Sequence, residues 1–239
     1  QSYDKVIMLA GGIGFANKEH AIKDKPSKGD LIIVMGGDNY RIGMGGAAVS
    51  SADTGEFSSG IELNAIQRSN PEMQKRVANA IRGTIENASN CIVSIHDHGA
   101  GGHLNCLTEL VEDIGGSINL DKLPIGDSTL SNREIIGNES QERMGLIVKQ
   151  ENIDEFIKIC NREKAPAYIV GKVTGDNKFS VFSEKENVHC VNWDLNHFFG
   201  SSPKTVIKDY NVDKTYLDLN YSKELIYEYV KDLFSLESV

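Results

Sequence analysis

"CIVSIHDHGAGGHLNCLTELVEDIGG", residues 91–116, decides the fold. An apolar run through Cys91, Ile92, Val93 and Ile95 has the character of a short strand, and a glycine cluster follows it at once. From about residue 103 to 113 the chain resumes with helical character, and Gly115 with Gly116 closes it. Strand, glycine turn and helix make one unit of a mixed α and β architecture, and the flanking sequence repeats that alternation.

Upstream, "KVIMLAGGIG" (5–14) and "GDLIIVMGGD" (29–38) read as two more strands, each closed by Gly-Gly. "GMGGAAVSSADTGEFSS" (43–59) is so rich in small residues that a loop is expected there. "NPEMQKRVANAIRGTIENAS" (70–89) predicts an amphipathic helix: Asn70 caps it, Pro71 takes the first helical position, and Met73, Val77, Ile81 and Ile85 form one stripe. Downstream come a strand "RMGLIV" (143–148), a helix "NIDEFIKICNREK" (152–164) capped by Asn152, and a strand "APAYIVGKV" (165–173). "TGDN" (174–177) then predicts a plain hairpin into "KFSVFS" (178–183). From about 208 the segment is charged, with an apolar stripe through Leu225, Tyr229, Leu233 and Leu236 and nothing nearby for it to cover. That stripe, and a strand-like run as early as the sixth residue, suggest a piece of a longer protein.

The 239 residues are 40 % hydrophobic, enough for a substantial core. Twenty-five basic against 34 acidic residues give a net charge of −9, which argues against nucleic acid or an anionic membrane as a partner. No apolar run reaches the ~18 residues of a membrane span, and the first residues have no basic n-region, so a cytoplasmic protein is expected. Cys91, Cys106, Cys160 and Cys190 lie scattered in apolar segments without a CxxC pair, as reduced core thiols do.

Three stretches carry chemistry. In "SIHDHGAGGHLN" (94–105), strand alternation turns His96 and His98 one way and Asp97 the other. A zinc site would need His96, His98 and His103 together, since Cys91 lies roughly 16 Å along an extended strand. A magnesium site needs only Asp97 and a phosphorylated ligand, with the "GAGG" backbone free to approach a phosphate. A plain glycine turn with a surface aspartate is the third possibility. "NESQER" (138–143) offers Glu139, Ser140 and Gln141 as donors and acceptors for a sugar hydroxyl or an amide, or is simply a charged loop. Gln67 and Arg68 precede the capped helix, where they could face a ligand or solvent. Gly43, Gly45 and Gly46 fit neither the dinucleotide nor the Walker spacing.

Together these stretches are more specific than apart. "MLAGGIG", "GGDNYRIGMGGAAVSS", "IQRSNPEMQKR", "SIHDHGAGGHLN", "NESQERMGLIV" and "REKAPAYIVGKV" resemble, in order and spacing over roughly residues 5–207, the phosphoribosylformylglycinamidine synthase (formylglycinamidine ribonucleotide synthetase) family in its large single-chain form. The resemblance implies an α+β fold, a three-layer α/β/α arrangement on a mixed sheet like the C-terminal domain of aminoimidazole ribonucleotide synthetase, in the first half of the synthetase core. It implies that residues 1–27 lead in from an ATP-binding part, that 28–207 form the domain, and that 208–239 connect to a second half. The implied activity is ATP-dependent conversion of formylglycinamide ribonucleotide and glutamine to formylglycinamidine ribonucleotide in purine biosynthesis, with ATP as substrate and Mg2+ as cofactor. Carried over by position, Asp97 is a magnesium ligand, and Gln67, Glu139, Ser140 and Gln141 contact the ribonucleotide. The family's Gly-rich ATP segment, catalytic histidine and glutaminase domain have no counterpart among these residues, so the implied partners include those further domains, and no catalytic residue is expected here. The alternatives are a half that holds a structural nucleotide, or a related ATP-dependent enzyme of the same superfamily. The resemblance gives His96, His98 and His103 no role, and a structural one is expected of them.

Overall fold

The structure is a computed structural model that describes residues 11–239 apart from 21, 54, 66–69, 88–89, 140–141, 200–204, 211–214, 217–219 and 237–239, and apart from the side chain of residue 19. Residues 5–10 of the first expected strand therefore lie outside the described residues. The chain divides into two compact units, Gln1–Gly200 and Ser201–Val239.

The first unit is built on strand β1, Leu31–Met35, whose five residues are all buried. Its side chains alternate between two cores. Ile33 and Met35 pack with Val77, Ala80 and Phe156, while Ile32 and Val34 pack with Cys106, Leu107 and Ile136. A strand covered on both faces needs a continuous apolar run, which "LIIVM" supplies. Beyond β1 the chain forms α1 (Gly46–Ser51), α2 (Ser59–Ala65), α3 (Pro71–Ile85), β2 (Ile92–Asp97), α4 (Gly102–Leu110) and β3 (Gly116–Asn119). It continues through α5 (Asn132–Ile136), β4 (Met144–Val148), α6 (Ile153–Arg162), β5 (Ala167–Val173), β6 (Lys178–Ser183) and β7 (Val188–Asp194). The sheet order is β2-β4-β1-β5-β3-β6-β7, antiparallel throughout except that β3 runs parallel to β6. Helices α3 and α6 cover one face and α4 and α5 the other, giving the expected three-layer α+β fold on a mixed sheet.

The helix at 71–85 starts as its sequence dictates: Asn70 Oδ1 accepts the Met73 N–H at 3.1 Å and Pro71 follows. Asn152 takes the cap position of α6, but its side chain makes no cap bond. Three expectations are corrected. The stretch 43–59 is not plain loop, since α1 lies within it and α2 begins at its end. Helix α4 stops at Leu110, short of residue 113, and turns lead from it into β3. "TGDN" does not close a hairpin, because β3 lies between β5 and β6. The slot exists because Gly115, at φ +90°, sits against the turn: Thr174 N–H donates to the Gly115 carbonyl, Asn177 N–H donates to that of Ile114, and a Cβ on Gly115 would lie 2.7 Å from Lys178 N. The hairpin that does form joins β6 to β7.

In the second unit, α7 spans Ile226–Phe234. The stripe of Leu225, Tyr229, Leu233 and Leu236 is exposed along its whole length. No helix among the described residues is long and apolar enough to cross a membrane.

Candidate functional site

Strand β2 delivers Asp97 to its carboxyl end and the chain turns sharply through "HGAGG" into α4. Both histidines of the strand end face α4, as alternation requires: His96 pairs with Glu109, and His98 Nε2 lies 2.9 Å from His103 Nδ1. Asp97 turns the other way, its side chain 76 % exposed. Gly102, at φ +59°, lets the start of α4 press against residue 138, where any Cβ would sit 2.2 Å from the Asn138 carbonyl oxygen. The turn, α1, the start of α3, Glu139 and Glu142 enclose a cleft of about 890 Å³. Asp97 and Glu139 both line it, joined by Glu62 and Glu142, and no lysine or arginine is among the described lining residues.

Beneath the cleft lies a buried polar network. Arg143, 1 % exposed, donates from Nη2 to Asn138 Oδ1 at 2.6 Å and from Nη1 to His103 Nε2 at 2.8 Å. Asn39 Nδ2 adds a second contact to the same ring nitrogen at 3.2 Å. The Asn138 amide donates to the carbonyls of Tyr40 and Ile42 at 2.6 and 2.9 Å, tying the segment after β1 to the one before β4. Burial, reinforced by the Arg143 charge, pushes His98 down to about 3 and His103 well below its usual value, so both rings are neutral near pH 7. Burial lowers Arg143 only to about 10, leaving it charged. Among the described residues, three buried side-chain atoms have no hydrogen-bond partner: His98 Nδ1, Asn39 Oδ1 and Arg143 Nε.

Glu139 is 5 % exposed and acts as a bracket. One carboxylate oxygen accepts the Ala47 N–H of α1 at 2.8 Å and the other the Gly101 N–H at 3.1 Å. The expectation that the "GAGG" backbone stands free for a phosphate is corrected at its second half, since Gly101 N–H is given to Glu139 and Gly102 N–H to the Gly99 carbonyl. The three-histidine zinc arrangement is corrected as well. His98 and His103 bond each other, His96 bonds Glu109, and among the described residues no three His, Cys, Asp or Glu side chains gather as a metal-binding group. Asp97 and Glu139 are thus brought to one cleft, whereas Gln67, Ser140 and Gln141 lie outside the described residues. Sequence reasoning missed Asn39, Asn138 and Arg143. Asn138 and Arg143 flank the acidic and amide residues of "NESQER", and a cation and an amide closing both ends of a polar run were the only signal.

Residues 27–184 match the AIR synthase related protein, C-terminal domain family. Over 227 residues the chain is 38 % identical to a phosphoribosylformylglycinamidine synthase of Dictyostelium discoideum, covering 93 % of this chain and 17 % of that protein. It is 40 % identical over 206 residues to the Schizosaccharomyces pombe protein of the same name, covering 85 % of this chain and 16 % of the relative. The chain thus spans about a sixth of the length of these relatives. Among solved structures, a T. maritima PurL complexed with FGAR superposes with a TM-score of 0.68 at 23 % identity, over 89 % of this chain and 36 % of that one. A T. maritima PurL complexed with ATP gives 0.61 at 20 %, over 87 % and 33 %. At these identities the likeness is one of fold.

Proposed function

The chain belongs to the AIR synthase related protein, C-terminal domain family, and from that premise we propose that it is the ribonucleotide- and magnesium-binding part of an ATP-dependent phosphoribosylformylglycinamidine synthase of purine biosynthesis. The observation that carries this reading is a cleft uniting Asp97 and Glu139, in a chain 38 % identical over nearly its whole length to a synthase of that name. Formylglycinamide ribonucleotide is the acceptor, ATP the phosphoryl donor and glutamine the nitrogen source. The remaining domains of the synthase complete the site, and the cytoplasm is its compartment.

The chemistry of the cleft fits magnesium. Its described charged groups are carboxylates, so a phosphate-bearing ligand enters only with a cation that offsets the repulsion. Magnesium commonly takes one or two protein carboxylates and completes its shell with phosphate oxygens and water, so the exposed Asp97 suffices on the protein side. When bound, the ion neutralises charge on the phosphoryl group in transfer. Asp97 holds that ion, Glu139 fixes the walls of the cleft by joining α1 to the turn before α4, and Gln67, Ser140 and Gln141 orient the acceptor amide. None of them moves a proton.

The test is ammonia-dependent ADP formation by the full-length protein, since ammonia bypasses any glutaminase. Asp97→Asn and Ser140→Ala are expected to lower kcat/KM by about 10²-fold or more. Full activity in both variants would place the chemistry elsewhere and leave this domain a scaffold.

A further inference from the structure

His98 is 4 % exposed, lines the cleft beside Asp97 and leaves its Nδ1 without a partner. Its tautomer follows from the network. An arginine guanidinium has donors only, so His103 Nε2, 2.8 Å from Arg143 Nη1, is an acceptor. The proton of neutral His103 therefore sits on Nδ1 and is given to His98 Nε2 at 2.9 Å. His98 in turn carries its proton on Nδ1, the unpartnered atom. An orphaned N–H at such depth is destabilising unless something outside the chain receives it.

The direction of the relay names that receiver. Arg143 donates to His103 and His103 donates to His98, so every dipole is aligned and begins at a buried positive charge. The positive end of the chain emerges at the His98 Nδ1–H, in a cleft whose described charged side chains are all carboxylates. Such a donor favours an anionic oxygen over a neutral one. None of the described cleft carboxylates takes it: Glu139 accepts from Ala47 and Gly101, Glu142 from the Asn70 N–H and Glu62 from the Gly55 N–H, and Asp97 is turned away to solvent. The anion comes with the ligand.

We propose that His98 is a ligand-binding residue whose Nδ1–H, held in that tautomer by Arg143 and His103, donates a hydrogen bond to a phosphate oxygen of the ligand bound beside Asp97. The inference rests on the functional reading above and adds to it a neutral, directional donor in a site otherwise organised by negative charge. His98 and the proposed magnesium ligand Asp97 line the same cleft, so the cation and the donor meet the same ligand.

Calorimetric titration of the full-length protein, in magnesium, with formylglycinamide ribonucleotide and separately with ATP, tests it on wild type, His98→Gln and His98→Met. Glutamine can accept from His103 Nδ1–H and still offer an N–H, whereas methionine has nearly the same size and no donor. For one of the two ligands, His98→Met is expected to lose roughly tenfold or more in affinity and His98→Gln to stay within about threefold of wild type. The ligand that shows the gap identifies whose phosphate is held. Equal affinities in all three proteins for both ligands would overturn the proposal while leaving the functional reading intact. If wild type binds no ribonucleotide, the functional reading fails, and the ATP series alone then decides, a gap sustaining the donor and its absence overturning it. Should His98→Met not fold, a crystal structure of the wild-type complex decides: a phosphate oxygen within about 3.2 Å of Nδ1 supports the proposal, and none in reach overturns it.

Discussion

Arg143 shows how a single buried charge orders its surroundings. It is held by an amide and an imidazole, and its field adds to the burial that keeps His98 and His103 neutral. Both histidines ionise lower in the folded chain than in the unfolded one, so the unfolded state binds more protons as the pH falls. The stability this contributes is complete above about pH 6.5 and declines below it, by about 1.4 kcal/mol per pH unit for each histidine, down to the His98 value of about 3. Urea midpoints at pH 7.5 and pH 5 should therefore fall further for wild type than for a His98→Gln, His103→Asn double variant. A wild-type midpoint that does not move would mean the rings are charged in the native state. Little of this network was legible in the sequence. His103 meets Arg143 and Asn39 across 40 and 64 residues of chain, and histidines around a glycine turn look the same whether they bind metal, bond each other or face solvent. Asp97 was legible because its position at a strand end before a glycine turn depends only on local pattern.

At the level of elements, capped and strongly periodic segments stood out, as α3 shows, because cap and stripe are written in neighbouring residues. Strand β3 did not: "GSIN" is four residues long with two polar positions, and its strand character comes from burying Ile118 between partners distant in sequence. "TGDN" misled for a related reason, since turn chemistry is the same whether the strands it joins pair directly or straddle a third. The junction of α4 with residue 138 makes a sharper prediction. Gly102→Ala puts a methyl group 2.2 Å from the Asn138 carbonyl oxygen at a positive φ, and should cost about 1–3 kcal/mol in denaturant unfolding. Gly99→Ala, whose Cβ meets only Asp97 Oδ2 at 3.6 Å, should stay within about 0.5 kcal/mol of wild type. Equal losses in the two variants would show that the close approach does not matter.

For the molecule as a whole, the net charge of −9 and the carboxylate-lined cleft point the same way: the anionic substrate of the proposed function would be repelled until a cation accompanied it. Chelating magnesium should lower ribonucleotide affinity by roughly tenfold or more, and added salt should then recover part of that loss by screening the carboxylates. Affinity indifferent to magnesium would contradict an Asp97 metal site, and the same calorimetric titration reads both effects. The architecture behind the cleft also constrains how the chain reaches its native state. Gly116 of β3 pairs with Val173 and with Phe179, partners more than fifty residues further along (116 to 173 and 116 to 179), while β5 and β6 are separated by a turn of only four residues, 174–177. Loop closure alone would let β5 and β6 zip together first, and that cheap early pairing would shut β3 out of the sheet. Synthesis from the N-terminus works against this error: β3 leaves the ribosome ahead of both neighbours, so the strand that must fill the slot is already waiting when its walls arrive.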